Sequence, residues 1–171
     1  MGTSKQKAVL VDMERCVGCR ACEVACQEEH GFSGTGAMVV VRIGPEEVAD
    51  KLRLNFVPIT CRHCTDPICV RGCPTGALRK TDAGHVQHNV NLCIGCKMCL
   101  QVCPFGAIHF NSQTGKVLKC DLCLARSKEG QGLACVHTCP AKALVYGEPD
   151  LLLTRKYSRV QFWAVHKPVE Y

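Results

Sequence analysis

Sixteen of the 171 residues are cysteine, and they fall into four groups of four. Cys16, Cys19, Cys22 and Cys26 stand as C-x2-C-x2-C-x3-C, and Cys93, Cys96, Cys99 and Cys103 repeat that spacing. Cys61, Cys64, Cys69 and Cys73 form C-x2-C-x4-C-x3-C, and Cys120, Cys123, Cys135 and Cys139 form C-x2-C-x11-C-x3-C. Each group opens with C-x2-C and closes with C-x3-C, and only the middle gap varies, through 2, 4, 2 and 11 residues. The stretch LARSKEGQGLA in the fourth group therefore reads as a loop let out within one repeat unit. Its Ser, Lys, Gly and Gln suit solvent or a partner.

In C-x2-C-x2-C the chain makes a tight loop that presents three sulfurs and the backbone N–H groups between them to one small object. A cubane iron–sulfur cluster needs one thiolate for each of four irons, so three local sulfurs leave one corner open. In two-cluster ferredoxins the cysteine of C-x3-C-P fills that corner on the neighbouring cluster. Three of the four groups carry that closing signature, in CPTGAL (73–78), CPFGAI (103–108) and CPAKAL (139–144); the first has Gln27 after Cys26 instead. Proline there ends or sharply turns the helical segment. Zinc is the leading competitor, since sixteen cysteines would make four sites of four thiolates. Structural zinc sites pair distant CxxC units and have no need of a further cysteine three residues on, so the spacing favours iron and sulfide.

The elements that must position these loops are short. Strand-like runs lie at Ala8 to Val11, Ala107 to Phe110 and Ala143 to Tyr146, and no segment reads as a long amphipathic helix. HGFSGTG (30–36) reads as a flexible loop, and MVVVRI (38–43) and LRLNFV (52–57) as strands of an insert that covers a cluster or meets a partner. Only nine residues are aromatic, and five of them, Tyr146, Tyr157, Phe162, Trp163 and Tyr171, lie from Tyr146 onward. That tail is expected to bury itself on a partner or along its own cluster lobe, with the partner favoured. So thin a conventional core implies that a cofactor fills part of the interior.

Ala8 to Val11 is too short for the apolar core of a secretory signal, and no stretch approaches the roughly 18 apolar residues that span a bilayer. A cytoplasmic chain with reduced thiols is therefore expected, without a membrane span of its own. The formal net charge of +6 counts every thiol as neutral. Four oxidised clusters with their thiolates carry about −2 each, which brings the loaded chain to about −2. The basic surplus then compensates cofactors, and the scattered Lys and Arg make no stripe for nucleic acid.

The stretches CVGCRAC (16–22), CRHCTDPIC (61–69), CIGCKMC (93–99) and KCDLCLAR (119–126) resemble the four-cluster iron–sulfur electron-transfer subunits of the dimethyl-sulfoxide-reductase type. Similar subunits serve formate dehydrogenases, carbon monoxide dehydrogenases, hydrogenases and tungsten aldehyde oxidoreductases. The likeness covers residues 8–147. It implies an α+β fold of two bacterial-ferredoxin-like lobes, with short hairpins and helical turns around the clusters. Residues 1–30 and 112–147 would make the first lobe and 58–111 the second, with 31–57 as a β insert and 148–171 as a partner-facing tail.

The resemblance also implies four [4Fe-4S] clusters and pairs the first motif with the fourth and the second with the third. Carried onto this chain, the ligand sets are Cys16, Cys19, Cys22 with Cys139; Cys120, Cys123, Cys135 with Cys26; Cys61, Cys64, Cys69 with Cys103; and Cys93, Cys96, Cys99 with Cys73. His63, inside CRHC, either supports its loop or tunes a cluster, and the loop role is favoured. The charges of Lys119 and Arg126 either stabilise a reduced cluster or face solvent.

No GxGxxG, P-loop, nucleophile–base pair or paired carboxylates appear, and no cysteine is left over for catalysis. The expected role is an electron relay without a substrate site. Its partner would be a molybdenum- or tungsten-pterin oxidoreductase subunit, with a flavin/NAD(H)-linked or quinone-linked subunit at the other end. Self-association that extends the relay is a further expectation. The alternative is a zinc-stabilised binding module.

Overall fold

The structure, a computed structural model, describes residues 7–148. The expected partner-facing tail, with Tyr157, Phe162, Trp163 and Tyr171, lies outside the described residues apart from its first residue, Glu148.

Small antiparallel pairs carry the strands. β1 (Ala8–Val11) pairs with β8 (Leu144–Gly147), so the two ends of the described residues close on each other. β2 (Met38–Val48) and β3 (Lys51–Thr60) form a long hairpin. β4 (Leu78–Lys80) pairs with β5 (Val86–His88), and β6 (Ile108–Asn111) with β7 (Lys116–Lys119). The insert strands expected at 38–43 and 52–57 are present and run longer. Ala49 and Asp50 join them with φ of 50° and 61°, the paired left-handed residues of a tight hairpin turn.

Two short side chains shape turns at strand ends. The Asp12 carboxylate accepts the N–H groups of Glu14 and Arg15 at 3.1 and 3.3 Å, just before the first cysteine loop. The Asn111 side chain accepts those of Gln113 and Thr114 at 2.9 and 3.2 Å, turning β6 into β7.

The helices grow straight out of the cysteine loops. α1 (Ala21–His30) carries Cys22 and Cys26, α2 (Ile68–Arg71) Cys69, α3 (Met98–Val102) Cys99, and α5 (Ala134–Thr138) Cys135. α1 packs on α5, and α2 on α3. α3 and α5 stop at Cys103 and Cys139, both extended. Each precedes a proline, whose ring excludes the helical conformation from the residue before it. No proline follows Cys26, so α1 continues to His30 and ends at Gly31, in the left-handed conformation, with the Phe32 N–H on the Gln27 carbonyl at 2.9 Å. The loop expected at 30–36 thus begins after His30.

The long gap of the fourth motif is not wholly a loop. Its first five residues form α4 (Leu124–Lys128), and Leu133 and Ala134 are buried, which leaves residues 129–132 as the excursion. Ser127 donates from its hydroxyl to the Leu122 carbonyl at 2.9 Å, and Arg126 pairs with Glu29 of α1 at 3.2 Å. Those contacts hold a helix too short to show a period in the sequence.

Two buried clusters make the core. One joins Cys22, Cys26, Cys123 and Cys135 with Met38, Val40, Leu122, Leu133 and Leu144. The other joins Cys69, Cys93 and Cys99 with Leu78, Val86, Ile108 and Val117. Cysteine thus takes places that aliphatic residues fill in an ordinary core, as the thin apolar composition requires.

Gly18 and Gly95 hold the same place in CVGC and CIGC, at φ of +68° and +70°. A Cβ on Gly18 would stand 2.4 Å from the Phe56 ring, and one on Gly95 2.2 Å from the Gly115 carbonyl oxygen. Gly130 has φ of +76° but nothing within 4 Å. Gly95→Ala should therefore cost roughly 2 kcal/mol or more in denaturant unfolding, against about 1 kcal/mol for Gly130→Ala. Equal losses would mean that the close approach to Gly115 carries no weight.

Candidate metal centres

The cysteine loops are concave because left-handed residues bend them inward. Gly18 and Arg20 do this in the first motif, Gly95 and Lys97 in the third, His63 in the second, and Leu122 and Cys123 in the fourth. Such alternation turns consecutive N–H groups toward one side, the nest geometry that receives anions and iron–sulfur centres. The sulfurs accept these donors: Cys61 from His63 N–H at 3.5 Å, Cys120 from Leu122 N–H at 3.4 Å, and Cys139 from Ala143 N–H at 3.2 Å.

All sixteen thiols fall into four neighbourhoods, and none of the four is made by one motif alone. Cys16, Cys19 and Cys22 line a cavity of about 320 Å³ together with Cys139. Cys93, Cys96 and Cys99 line another of about 300 Å³ together with Cys73. Cys135 has Cys120, Cys123 and Cys26 as electrostatic neighbours, with Cys22 after them, and Cys69 has Cys61, Cys103 and Cys64. Each loop of three is met by the closing cysteine of another motif.

Burial opposes ionisation at most of these sulfurs. It pushes Cys22, Cys69 and Cys120 up to about 11 and Cys26 up to about 12, and raises Cys135 further. Cys73 moves the other way. Burial also acts against it, but the N–H groups of Leu78, Thr75 and Ala77 and the Thr75 hydroxyl together hold it below the ordinary thiol value. Thiolates packed this closely repel one another and need a cationic centre among them. Four converging sulfurs, backbone donors aimed at them and an apolar wall are the donor set of a thiolate-bound iron–sulfur cluster, and the residues fit that group.

Side chains that the sequence did not single out brace these loops. Lys80 Nζ donates to the carbonyls of Cys64 and Thr65, both at 2.7 Å, and Lys116 Nζ to that of Cys93. The basic surplus is thus spent partly on ligand loops. Phe56 of β3 lies over Gly18, and Val40 and Pro58 line the first cavity, so the inner half of the insert covers the first motif. The outer half leaves Ile43, Leu52 and Leu54 exposed. His30 Nε2 lies 3.3 Å from Asp121 and 3.8 Å from Cys123 Sγ, while its ring stacks on Phe32. Scattered lysines and a histidine at a helix end carry no local pattern that marks such roles.

His63 takes the structural role favoured from the sequence. It is 1% exposed, and its Nδ1 accepts the Val86 N–H at 3.0 Å, which ties the second motif to β5. Burial first, then the charges of Lys119, His85 and Lys80, push its titration down to about 3, so the ring is neutral at pH 7. Arg126 is half-buried in its pair with Glu29, and Lys119 is buried. His63→Ala removes the acceptor of a buried amide and should cost roughly 1–3 kcal/mol. Hydrogen exchange at the Val86 amide should speed up in step, and unchanged protection there would contradict the role.

Among the described residues no helix is long and apolar enough to cross a membrane. Residues 52–149 match the 4Fe-4S dicluster domain family, and residues 7–28 match a 4Fe-4S binding domain. The protein is 38% identical over 169 residues to the thiosulfate reductase electron transfer subunit of Salmonella typhi, covering 97% of this sequence and 85% of that one. It is 37% identical over 163 residues to the B subunit of the anaerobic dimethyl sulfoxide reductase of Haemophilus influenzae, covering 88% and 78%. With the formate dehydrogenase-O iron-sulfur subunit of Escherichia coli it shares 34% over 173 residues, 91% of this sequence and 58% of that one.

Proposed function

The protein belongs to the 4Fe-4S dicluster family, among the iron–sulfur electron-transfer subunits of reductase and dehydrogenase complexes, and on that premise we propose that it holds four [4Fe-4S] clusters and passes single electrons along them. The observation that carries this reading is the meeting of every three-cysteine loop with a closing cysteine from another motif. The ligand sets are then Cys16, Cys19, Cys22, Cys139; Cys120, Cys123, Cys135, Cys26; Cys61, Cys64, Cys69, Cys103; and Cys93, Cys96, Cys99, Cys73. Each cluster, when bound, supplies a reversible one-electron site whose potential follows its hydrogen bonds, nearby charge and exposure.

The protein's own residues give the relay an order. Cys61 is an electrostatic neighbour of Cys120, so the second and fourth motifs adjoin at the centre. Cys19 and Cys96, in the first and third motifs, are exposed, with Val17 and Ile94 beside them 64% and 67% exposed. Electrons enter at one of these ends and leave at the other. On this reading there are two ferredoxin-like lobes, built on motifs one and four (1–30 and 112–147) and on motifs two and three (58–111). The hairpin over 31–57 covers the first motif with its inner half and offers its outer apolar strip to a partner. The tail over 148–171 serves the same contact.

One partner is a catalytic oxidoreductase subunit of the molybdenum- or tungsten-pterin type, and the other a flavin/NAD(H)-linked or quinone-linked subunit. A second copy of this protein meeting an exposed end would lengthen the relay. The protein acts in the cytoplasm and has no substrate site of its own.

The anaerobically purified complex should be brown and bleach with dithionite, whereas zinc sites would be colourless. Cys139→Ser should damage the cluster of Cys16, Cys19 and Cys22 before that of Cys120, Cys123 and Cys135. Electron paramagnetic resonance of the reduced protein separates the two, and loss of the fourth motif's own cluster first would refute the exchange.

A further inference from the structure

Lys119 closes β7, and its side chain runs into the seam between the two cysteine-lined cores, where the residue is 7% exposed. Its Nζ lies 3.5 Å from Cys61 Sγ and donates to the Cys120 carbonyl. One ammonium therefore touches the ligand loops of the second and the fourth motif. Lys119 precedes Cys120 and reaches the Cys61 thiol, while Thr60, which precedes Cys61, donates its hydroxyl to the Ala37 carbonyl at 3.2 Å.

A buried ammonium needs negative charge close by. Among the described residues no carboxylate forms an ion pair with Lys119. The negative groups left to balance it are the sulfurs of two different ligand sets.

We propose that Lys119 supplies one fixed positive charge shared by two clusters, that of Cys61, Cys64, Cys69 and Cys103 and that of Cys120, Cys123, Cys135 and Cys26. It thereby raises both reduction potentials and sets the crossing point between the two halves of the relay. This inference rests on the ligand sets of the preceding section. Reduction adds one negative charge to a cluster, and a cation in contact with its ligand shell favours that form by Coulomb attraction in a medium of low dielectric. In the transfer itself one centre is oxidised as the other is reduced by the same electron. No bond forms or breaks.

The test is a potentiometric titration, followed by electron paramagnetic resonance, of the anaerobically purified holo-complex with Lys119, K119Q or K119R. Glutamine keeps an N–H donor for the Cys120 carbonyl and drops the charge; arginine keeps the charge. Two of the four potentials should fall in K119Q, each by about tenfold in the reduction equilibrium, or 59 mV for one electron. The other two should stay in place, and K119R should remain close to the parent protein. Unmoved potentials in K119Q, or a fall in K119R as large as in K119Q, would overturn the proposal. If K119Q does not load its clusters, K119R decides: unshifted potentials support the charge role and shifted ones overturn it. A parent protein with fewer than four clusters would instead overturn the underlying ligand sets, and this inference with them.

Discussion

In the proposed clusters a loop of three cysteines presents three sulfurs to a centre that needs four, and that shortfall is the constraint on which the arrangement depends. Cys139 lies against Cys16, and Cys26 against Cys120 and Cys123, so the first and last motifs fold together. The pairing of β1 with β8 and the packing of α1 on α5 follow from the same closure. In the middle of the sequence Cys103 meets Cys61, Cys64 and Cys69, and Cys73 meets Cys99, with α2 packed on α3. Strands of three or four residues and helices of one turn would be marginal by themselves. In the proposed ligand sets they flank cysteine loops that another part of the protein completes.

The energetics of the interior point the same way. Buried thiols resist ionisation, and the cysteines massed in two small cores offer little apolar area of the ordinary kind. Backbone donors in the nests and lysines on the loop carbonyls prepare a strongly anionic site in advance. Binding a cationic iron core releases the protons and joins ligand affinity to folding free energy. A cofactor that fills the core and completes the connections between motifs explains why so small and so poorly aromatic a protein needs no larger hydrophobic interior.

Much of this was legible from spacing because ligand loops are local objects. The common ends of the four motifs, the prolines after Cys73, Cys103 and Cys139, and the flanking strands all follow from residues close in sequence. The mixed fold of short helices and small antiparallel pairs is as expected. What escaped depends on contacts between distant residues. LARSK is a helix because Arg126 finds Glu29 and Ser127 finds Leu122, not because five residues show a period. Phe56 over Gly18, Lys80 on the Cys64 loop and Lys119 at Cys61 are reaches of 15 residues or more, with no motif to mark them. His63 lay inside a motif, yet its partner Val86 is 23 residues away.

The most direct test of the exchange is anomalous diffraction at the iron edge from crystals of the anaerobically purified protein. The account predicts four separate iron centres, each with three sulfurs from one motif and the fourth from its partner motif, with Cys139 on the centre of Cys16, Cys19 and Cys22. A centre bound by all four cysteines of a single motif, or fewer than four iron centres, would contradict it.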